Sequence, residues 1–139
     1  MKIDIVGNPK DAIKGYKPVI VNEDGLIEMF DVSDSECMEI RANGIVDRFK
    51  ASQLQPNLIA LLKKVRIGGE IILSGLDCNI ISRQLISGKL DEATFSHLVE
   101  SSNSISSLAT VAKIVQSQGL QIKAQKISGF TYQIVAKRG

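Results

Sequence analysis

The pattern that most constrains the fold runs from residue 58 to residue 74. Leu58, Leu61, Leu62 and Val65 recur at i, i+3, i+4 and i+7, which lines one face of an amphipathic helix opening near Pro56. Gly68-Gly69 lies beyond its end, and Glu70 to Ser74 follows as a nearly continuous apolar run, Ile71-Ile72-Leu73. A run without polar alternation suits a strand covered on both faces, the condition of a mostly parallel sheet between helices. A helix, a tight turn and such a strand in succession argue for a layered α/β architecture.

Other segments fit the same plan. Lys2 to Val6 reads as a strand ending at the turn-forming Gly7-Asn8-Pro9, and Pro18 opens a β-branched run, Val19-Ile20-Val21, halted by Asn22-Glu23-Asp24-Gly25. Met38 to Ala42 is a further strand with Asn43-Gly44 at its tip. Asn79 to Ile86 and Glu92 to Val99 carry helical patterns, and Ser101 to Ser107 is a serine-rich loop and cap. Leu108, Val111, Ala112 and Val115 line a last helix closed by Gly119. Leu120 to Ile127 and Thr131 to Ala136 flank Ser128-Gly129-Phe130 as a hairpin, so the sheet is expected to be mixed. A chain of 139 residues with no internal repeat supports one core.

Composition excludes several function classes. The formal net charge is +2 and the charges are spread along the chain, which argues against a nucleic-acid partner on electrostatic grounds. No apolar run approaches a membrane span, and MKIDIVGNPKD turns polar too soon for a secretory signal, so a soluble cytoplasmic protein is expected. Cys37 and Cys78 form no CxxC pair and are expected to be reduced and buried. A single histidine, His97, leaves no material for a His-based metal site or a Ser/His/Asp triad, so no metal is expected. His97 itself reads as an ordinary surface residue, and Arg41, Arg48 and Arg83 as a solvated face rather than an anion site.

The stretch Glu36-Cys37-Met38-Glu39-Ile40-Arg41-Ala42-Asn43-Gly44-Ile45-Val46-Asp47-Arg48-Phe49 resembles the strand-then-short-helix signature of compact class I S-adenosylmethionine-dependent methyltransferases. Leu58 to Asp77 resembles the same family's helix, Gly-Gly turn and fifth strand, and Gly119-Leu120 with the closing hairpin is similar to its last two strands. Lys2 to Lys10 falls where the family has its first motif, and Gly15-Tyr16 matches the dipeptide that follows it. The resemblance covers most of the chain. It implies one methyltransferase-like domain over residues 1–139: a Rossmann-like sheet, mostly parallel with an antiparallel C-terminal hairpin, flanked by helices and trimmed toward the N-terminus.

The same resemblance implies S-adenosylmethionine as cofactor and an unidentified methyl acceptor. It places Asp4, Gly7, Asn8, Pro9 and Asn43 at the cofactor and Asp77 at the substrate, with Asn43, Ser74, Asp77 and Asp4 the candidates for a base or substrate clamp and no catalytic residue standing out. Asp77, just before Asn79, reads equally as a turn or helix cap, and Asp4 equally as a solvent-facing residue of an edge strand. The first motif is degenerate. Val6 and Asn8 stand where the family has glycines, leaving Gly7. Ile20 stands where an acid holds the ribose hydroxyls, with Glu23 and Asp24 the nearest carboxylates. Residues 6 to 38 hold what the family builds from units of roughly thirty residues each, so helices there are trimmed, with a short one expected around Asp11 to Lys14. Two functions follow from this: a methyltransferase with a variant loop at Gly7 to Pro9, or a catalytically degenerate relative serving as a binding or structural subunit of a larger complex. A trimmed sheet face predicts exposed apolar surface, hence a homo-oligomer or a protein partner.

Overall fold

Short apolar runs separated by glycine and proline turns satisfy their backbone groups by pairing with one another. In the computed structural model, which describes residues 1–29 and 31–139, six strands do so among the described residues. They are β1 (Lys2–Val6), β2 (Lys17–Ile20), β3 (Cys37–Ala42), β4 (Val65–Leu76), β5 (Leu120–Ser128) and β6 (Thr131–Arg138), in the sheet order β2-β1-β3-β4-β6-β5. The first four are parallel, and β6 runs antiparallel to both β4 and β5. The helices are α1 (Leu54–Lys63), α2 (Cys78–Ile86), α3 (Glu92–Glu100) and α4 (Leu108–Ser117). This is a Rossmann-like mixed sheet with helices at its flank.

The core lies on one side. Leu58, Leu61 and Leu62 of α1 and Val111 and Val115 of α4 pack against Ile3, Ile5, Ile40, Ile71, Leu73 and Ile134 of the sheet. The carbonyls at the ends of α1 and α4 have no intrahelical partner. Arg138 satisfies them: its Nη2 donates to Leu62 O at 2.8 Å, Nη1 to Gln118 O at 2.9 Å, and Nε to Val65 O at 2.9 Å. One planar guanidinium thus joins two helix ends to the start of β4, a task for which lysine lacks the fork geometry.

Several expectations need correction. Val65 is not part of the α1 apolar face, because the helix stops at Lys63 and Val65 pairs with Cys37 as the first residue of β4. Gly68-Gly69 consequently lies inside β4. There Gly68 adopts φ +83° and the register slips between the Cys37 and Glu39 pairs, while Gly69 presses against the Cys37 carbonyl. The short helix expected over Asp11 to Lys14 is instead a single 3-10 turn, Pro9–Asp11. Cys37 is buried as expected, whereas Cys78 is half-buried; both thiols are free.

β4 is not covered on both faces either. No α-helix occurs between β1 and β3 among the described residues, so Ile72, Ser74 and Leu76 remain half-buried. The face they share is polar rather than apolar, for register places Lys2, Glu39, Arg41, Glu70, Gln133 and Lys137 on it. Tyr16 folds over part of this face. Its hydroxyl donates to Glu39 Oε2 at 2.6 Å, Arg41 Nε donates to Glu39 Oε1 at 3.2 Å, and the Lys2 and Arg41 cations lie 5.8 and 5.6 Å from its ring centre. The Tyr16 hydrogen bond, with Arg41 beside it, holds the Glu39 carboxyl below the usual carboxylate range. Exposed apolar side chains such as Leu26, Ile67, Ile86 and Ile127 sit on separate elements.

The two adjacent glycines should respond differently to a methyl group. A Cβ on Gly69 would lie 2.7 to 3.0 Å from three carbonyl oxygens, so Gly69→Ala is expected to cost about 1 to 3 kcal/mol by overpacking. Gly68 has open space but a left-handed φ, so Gly68→Ala should cost about 1 to 2 kcal/mol from backbone strain alone. Urea unfolding measures both, and an unchanged midpoint for Gly69→Ala would contradict this packing.

Candidate functional site

Open α/β sheets bind ligands beyond the carboxyl ends of their strands, at the point where successive connections diverge. That point lies between β1 and β3, since the chain leaves β1 for β2 on one side and returns to β3 on the other. Three loops meet there: residues 7–16 after β1, residues 21–25 after β2, and residues 43–49 after β3.

Asp4, central in β1, is buried at 6% exposure, and its Oδ2 accepts from Ile13 N at 3.0 Å. Its carboxylate therefore holds the 7–16 connection down over the strand. Asn8 caps the 3-10 turn by accepting from Lys10 N at 3.0 Å, with Pro9 as the turn's first residue. Gly7 and Asn43 are exposed at the crevice rim. Next to Asn43, Gly44 takes φ +68° and donates its N–H to Ser74 Oγ at 2.7 Å. The turn after β3 is thus tied to β4.

Asp77 lies apart from them, at 2% exposure beyond the end of β4. Its Oδ1 accepts from Asn79 N at 2.9 Å and Ile80 N at 3.1 Å, capping α2, and its Oδ2 accepts from Leu108 N at 3.0 Å in the first turn of α4. Both oxygens are occupied by backbone. His97 is exposed on α3.

Arg48 is the residue that sequence reasoning undervalued. A Cβ on Gly7 would meet Arg48 Nη1 at 2.5 Å, so the guanidinium lies directly against this glycine. A cavity of about 300 Å³ opens beside it, lined by Asn22, Glu23, Arg48, Glu100, Ser101 and Asn103. Asn103 ties its walls together: Nδ2 donates to Glu23 O at 2.9 Å and Arg48 O at 2.6 Å, and its backbone N donates to Asp47 O at 2.8 Å. Gly25 is required here because a Cβ would collide with the Arg48 carbonyl oxygen. The serine-rich stretch is therefore a strap across the loops after β2 and β3. A larger groove of about 550 Å³ runs along α1 by Pro56, Ile59 and Lys63, near the amino ends of β3 and β4 and away from the crevice.

Behind the strap, burial pushes the Asp47 carboxyl above its ordinary value, and its Oδ1 is enclosed without a hydrogen-bond partner among the described residues. Burial likewise raises the Tyr132 hydroxyl, which lies 3.3 Å from Ser106 Oγ and stays protonated. Among the described residues no group of histidine, cysteine and acidic side chains is placed to hold a metal ion.

No protein-family model matches this sequence, and no curated protein matches it. Solved structures match the fold. A SAM-dependent methyltransferase from Archaeoglobus fulgidus superposes with a TM-score of 0.64 at 14% identity, over 98% of this chain and 85% of its own. An O-methyltransferase family protein from Burkholderia thailandensis superposes with a TM-score of 0.64 at 15% identity over 89% of this chain, which spans only 36% of that protein. The putative methyltransferase of Haloferax volcanii, in complex with the Trm112 methyltransferase activator, gives 0.58 at 10% identity over 96% of this chain and 69% of its own. The chain has the fold of S-adenosylmethionine-dependent methyltransferases, and at such identities the likeness extends to the fold alone.

Two substitutions separate structural from ligand roles. Asp77→Ala removes the acceptor for three backbone N–H groups and is expected to cost about 2 to 4 kcal/mol, with faster hydrogen exchange at Leu108. A residue reserved for substrate would leave stability unchanged. For Asp47, an acid raised by folding holds its proton to higher pH in the folded state than in the unfolded chain. Its favourable contribution is thus complete below the ordinary value of 3.8 and lost as pH rises through the folded value. Asp47→Asn should therefore be more stable than the wild type at neutral pH, and the gain should vanish as thermal melts are taken toward pH 3.8.

Proposed function

We propose that this chain is a binding subunit built on the methyltransferase fold, assembled with a protein partner in a larger complex rather than carrying out methyl transfer itself. The observation that carries the reading is the Arg48 guanidinium lying against Gly7. In the family this chain resembles, glycines after the first strand admit the cofactor's methionine portion. Here that room is taken by the chain's own side chain, and Val6 and Asn8 bring further side chains to the neighbouring positions. The half-buried Ile20 ends β2 without a carboxylate for ribose hydroxyls, which would go unpaired at about 1 to 3 kcal/mol each. The residues in this arrangement do not fit S-adenosylmethionine. The partner is supported by the fold neighbour from Haloferax volcanii, which is bound to an activator protein. Free thiols at Cys37 and Cys78 support a reducing, cytoplasmic setting.

A second reading rests on the 300 Å³ cavity, because Glu23 and Arg48 both line it and both are exposed enough to reorient. In that reading Arg48 leaves Gly7 to pair with the cofactor's carboxylate, and Glu23 accepts from the ribose hydroxyls. Gly7, Asn8, Pro9 and Asn43 form the rim, Asp4 supports it from below, and Asp77 belongs to the acceptor side. The chain is then a methyltransferase of unidentified acceptor.

Calorimetric titration with S-adenosylmethionine and S-adenosylhomocysteine decides between them. The wild type is expected to release no binding heat at roughly millimolar ligand. Binding that appears only in Arg48→Ala would identify the guanidinium as the block. Micromolar binding to the wild type, abolished by Gly7→Trp, would overturn the proposal in favour of the second reading.

A further inference from the structure

Beyond the crevice, the open sheet face ends in a small recess at the C-terminal end of β4. It has a volume of about 120 Å³ and is lined by Ser74, Lys126, Ser128, Thr131, Tyr132 and Gln133. Sheet register brings these residues together. Ser74 on β4 pairs with Gln133 on β6, Gln133 pairs with Lys126 on β5, and Thr131 pairs with Ser128 at the hairpin end. Directly paired positions place their side chains on the same face, within reach of one ligand.

The recess is rich in donors and contains no carboxylate. Lys126 makes no ion pair among the described residues. Ser74 Oγ accepts from Gly44 N at 2.7 Å, which leaves its own hydrogen to donate. The Ser128 hydroxyl and the Gln133 amide make no side-chain hydrogen bond among the described residues, whereas Thr131 Oγ1 is committed to Ser128 O at 3.0 Å. The Tyr132 hydroxyl turns away to Ser106. One ammonium and three neutral donors therefore face a space of about four water volumes, enough for one compact anion and too small for a nucleoside. Lysine serves phosphate as a point charge, and the hydroxyl and amide groups beside it can donate to the remaining phosphate oxygens.

We infer that this recess binds a phosphate group, either as the free anion or as the terminal phosphomonoester of a larger molecule lying along the open face. The site is independent of what the crevice between β1 and β3 receives. The Gly44 to Ser74 hydrogen bond nonetheless makes the two neighbours, so a ligand at one is felt at the turn of the other.

The test is an NMR titration of the isotope-labelled chain with inorganic phosphate, at ionic strength held constant with chloride. Saturable amide shifts are expected at Ser74, Ser128 and Gln133, with a dissociation constant of roughly millimolar order. Lys126→Gln should weaken binding about tenfold, the loss of one charge-assisted hydrogen bond. Lys123→Gln, on the same exposed strand but outside the recess, should leave it unchanged. Gln133→Ala should also weaken it, and the spectra themselves report whether each variant is folded. A parallel titration with glycerol phosphate separates the two sources: saturation by both ligands assigns the site to phosphomonoesters, and saturation by inorganic phosphate alone assigns it to the free anion. Shifts that grow linearly without saturating, or that persist undiminished in Lys126→Gln, overturn the proposal.

Discussion

α1 and α4 seal one face of the sheet, with Leu58, Leu61, Leu62, Val111 and Val115 packed on Ile3, Ile5, Ile40, Ile71, Leu73 and Ile134. Each such side chain removed from water contributes roughly 1.5 to 3 kcal/mol, so this single layer supplies most of the drive to fold. Neither connection before β3 supplies a second layer among the described residues, and the opposite face has to coexist with water. Its composition follows from that. Lys2, Glu39, Arg41, Glu70 and Lys137 occupy positions where a two-sided sheet would place aliphatic residues, and Tyr16 covers the most charged of them. Half-exposed ion pairs add little stability, so the Tyr16, Glu39 and Arg41 cluster keeps this face soluble more than it holds the fold together.

The single helix layer seen among the described residues also shapes the crevice. A helix beginning after β1 would direct unpaired N–H groups and the positive end of its dipole toward a ligand. The single 3-10 turn at Pro9–Asp11 offers no comparable electrostatics, and the positive charge at the crevice comes instead from Arg48, an exposed side chain on the loop after β3. The recess at Ser74, Gln133 and Lys126 opens on that same uncovered face. Missing helices thus remove one kind of anion site and leave room for another.

Much of the fold was legible because it is local. The α1 periodicity, the Gly119 stop and the Gly129 hairpin each lie within a dozen residues, and each is realised. Val65 was misassigned because a helical spacing fits it by coincidence, while the start of β4 is fixed by pairing with Cys37, which no short window contains. The Ile71-Ile72-Leu73 run suggested two covered faces, yet Glu70 and Ser74, two residues either side of Ile72, already marked its face as polar. At the site, the capping role of Asp77 was visible in its position before Asn79, but its second bond to Leu108 was not. Arg48 against Gly7 and Asn103 between Glu23 and Arg48 are contacts between distant segments, and their residue types carry no local signal.

Core and crevice draw on separate residues. The helix layer is closed by Arg138 and by the Gly69 approach to β3, both at the amino ends of the parallel strands. The crevice lies at the opposite ends, where Asn103 and Ser104 bond the loops after β2 and β3 through backbone carbonyls. Ligand-binding loops in such sheets are drawn from the least stable parts of a fold because they must move. Here those loops are cross-linked to a strap by hydrogen bonds that need no ligand, so their shape is set before anything binds.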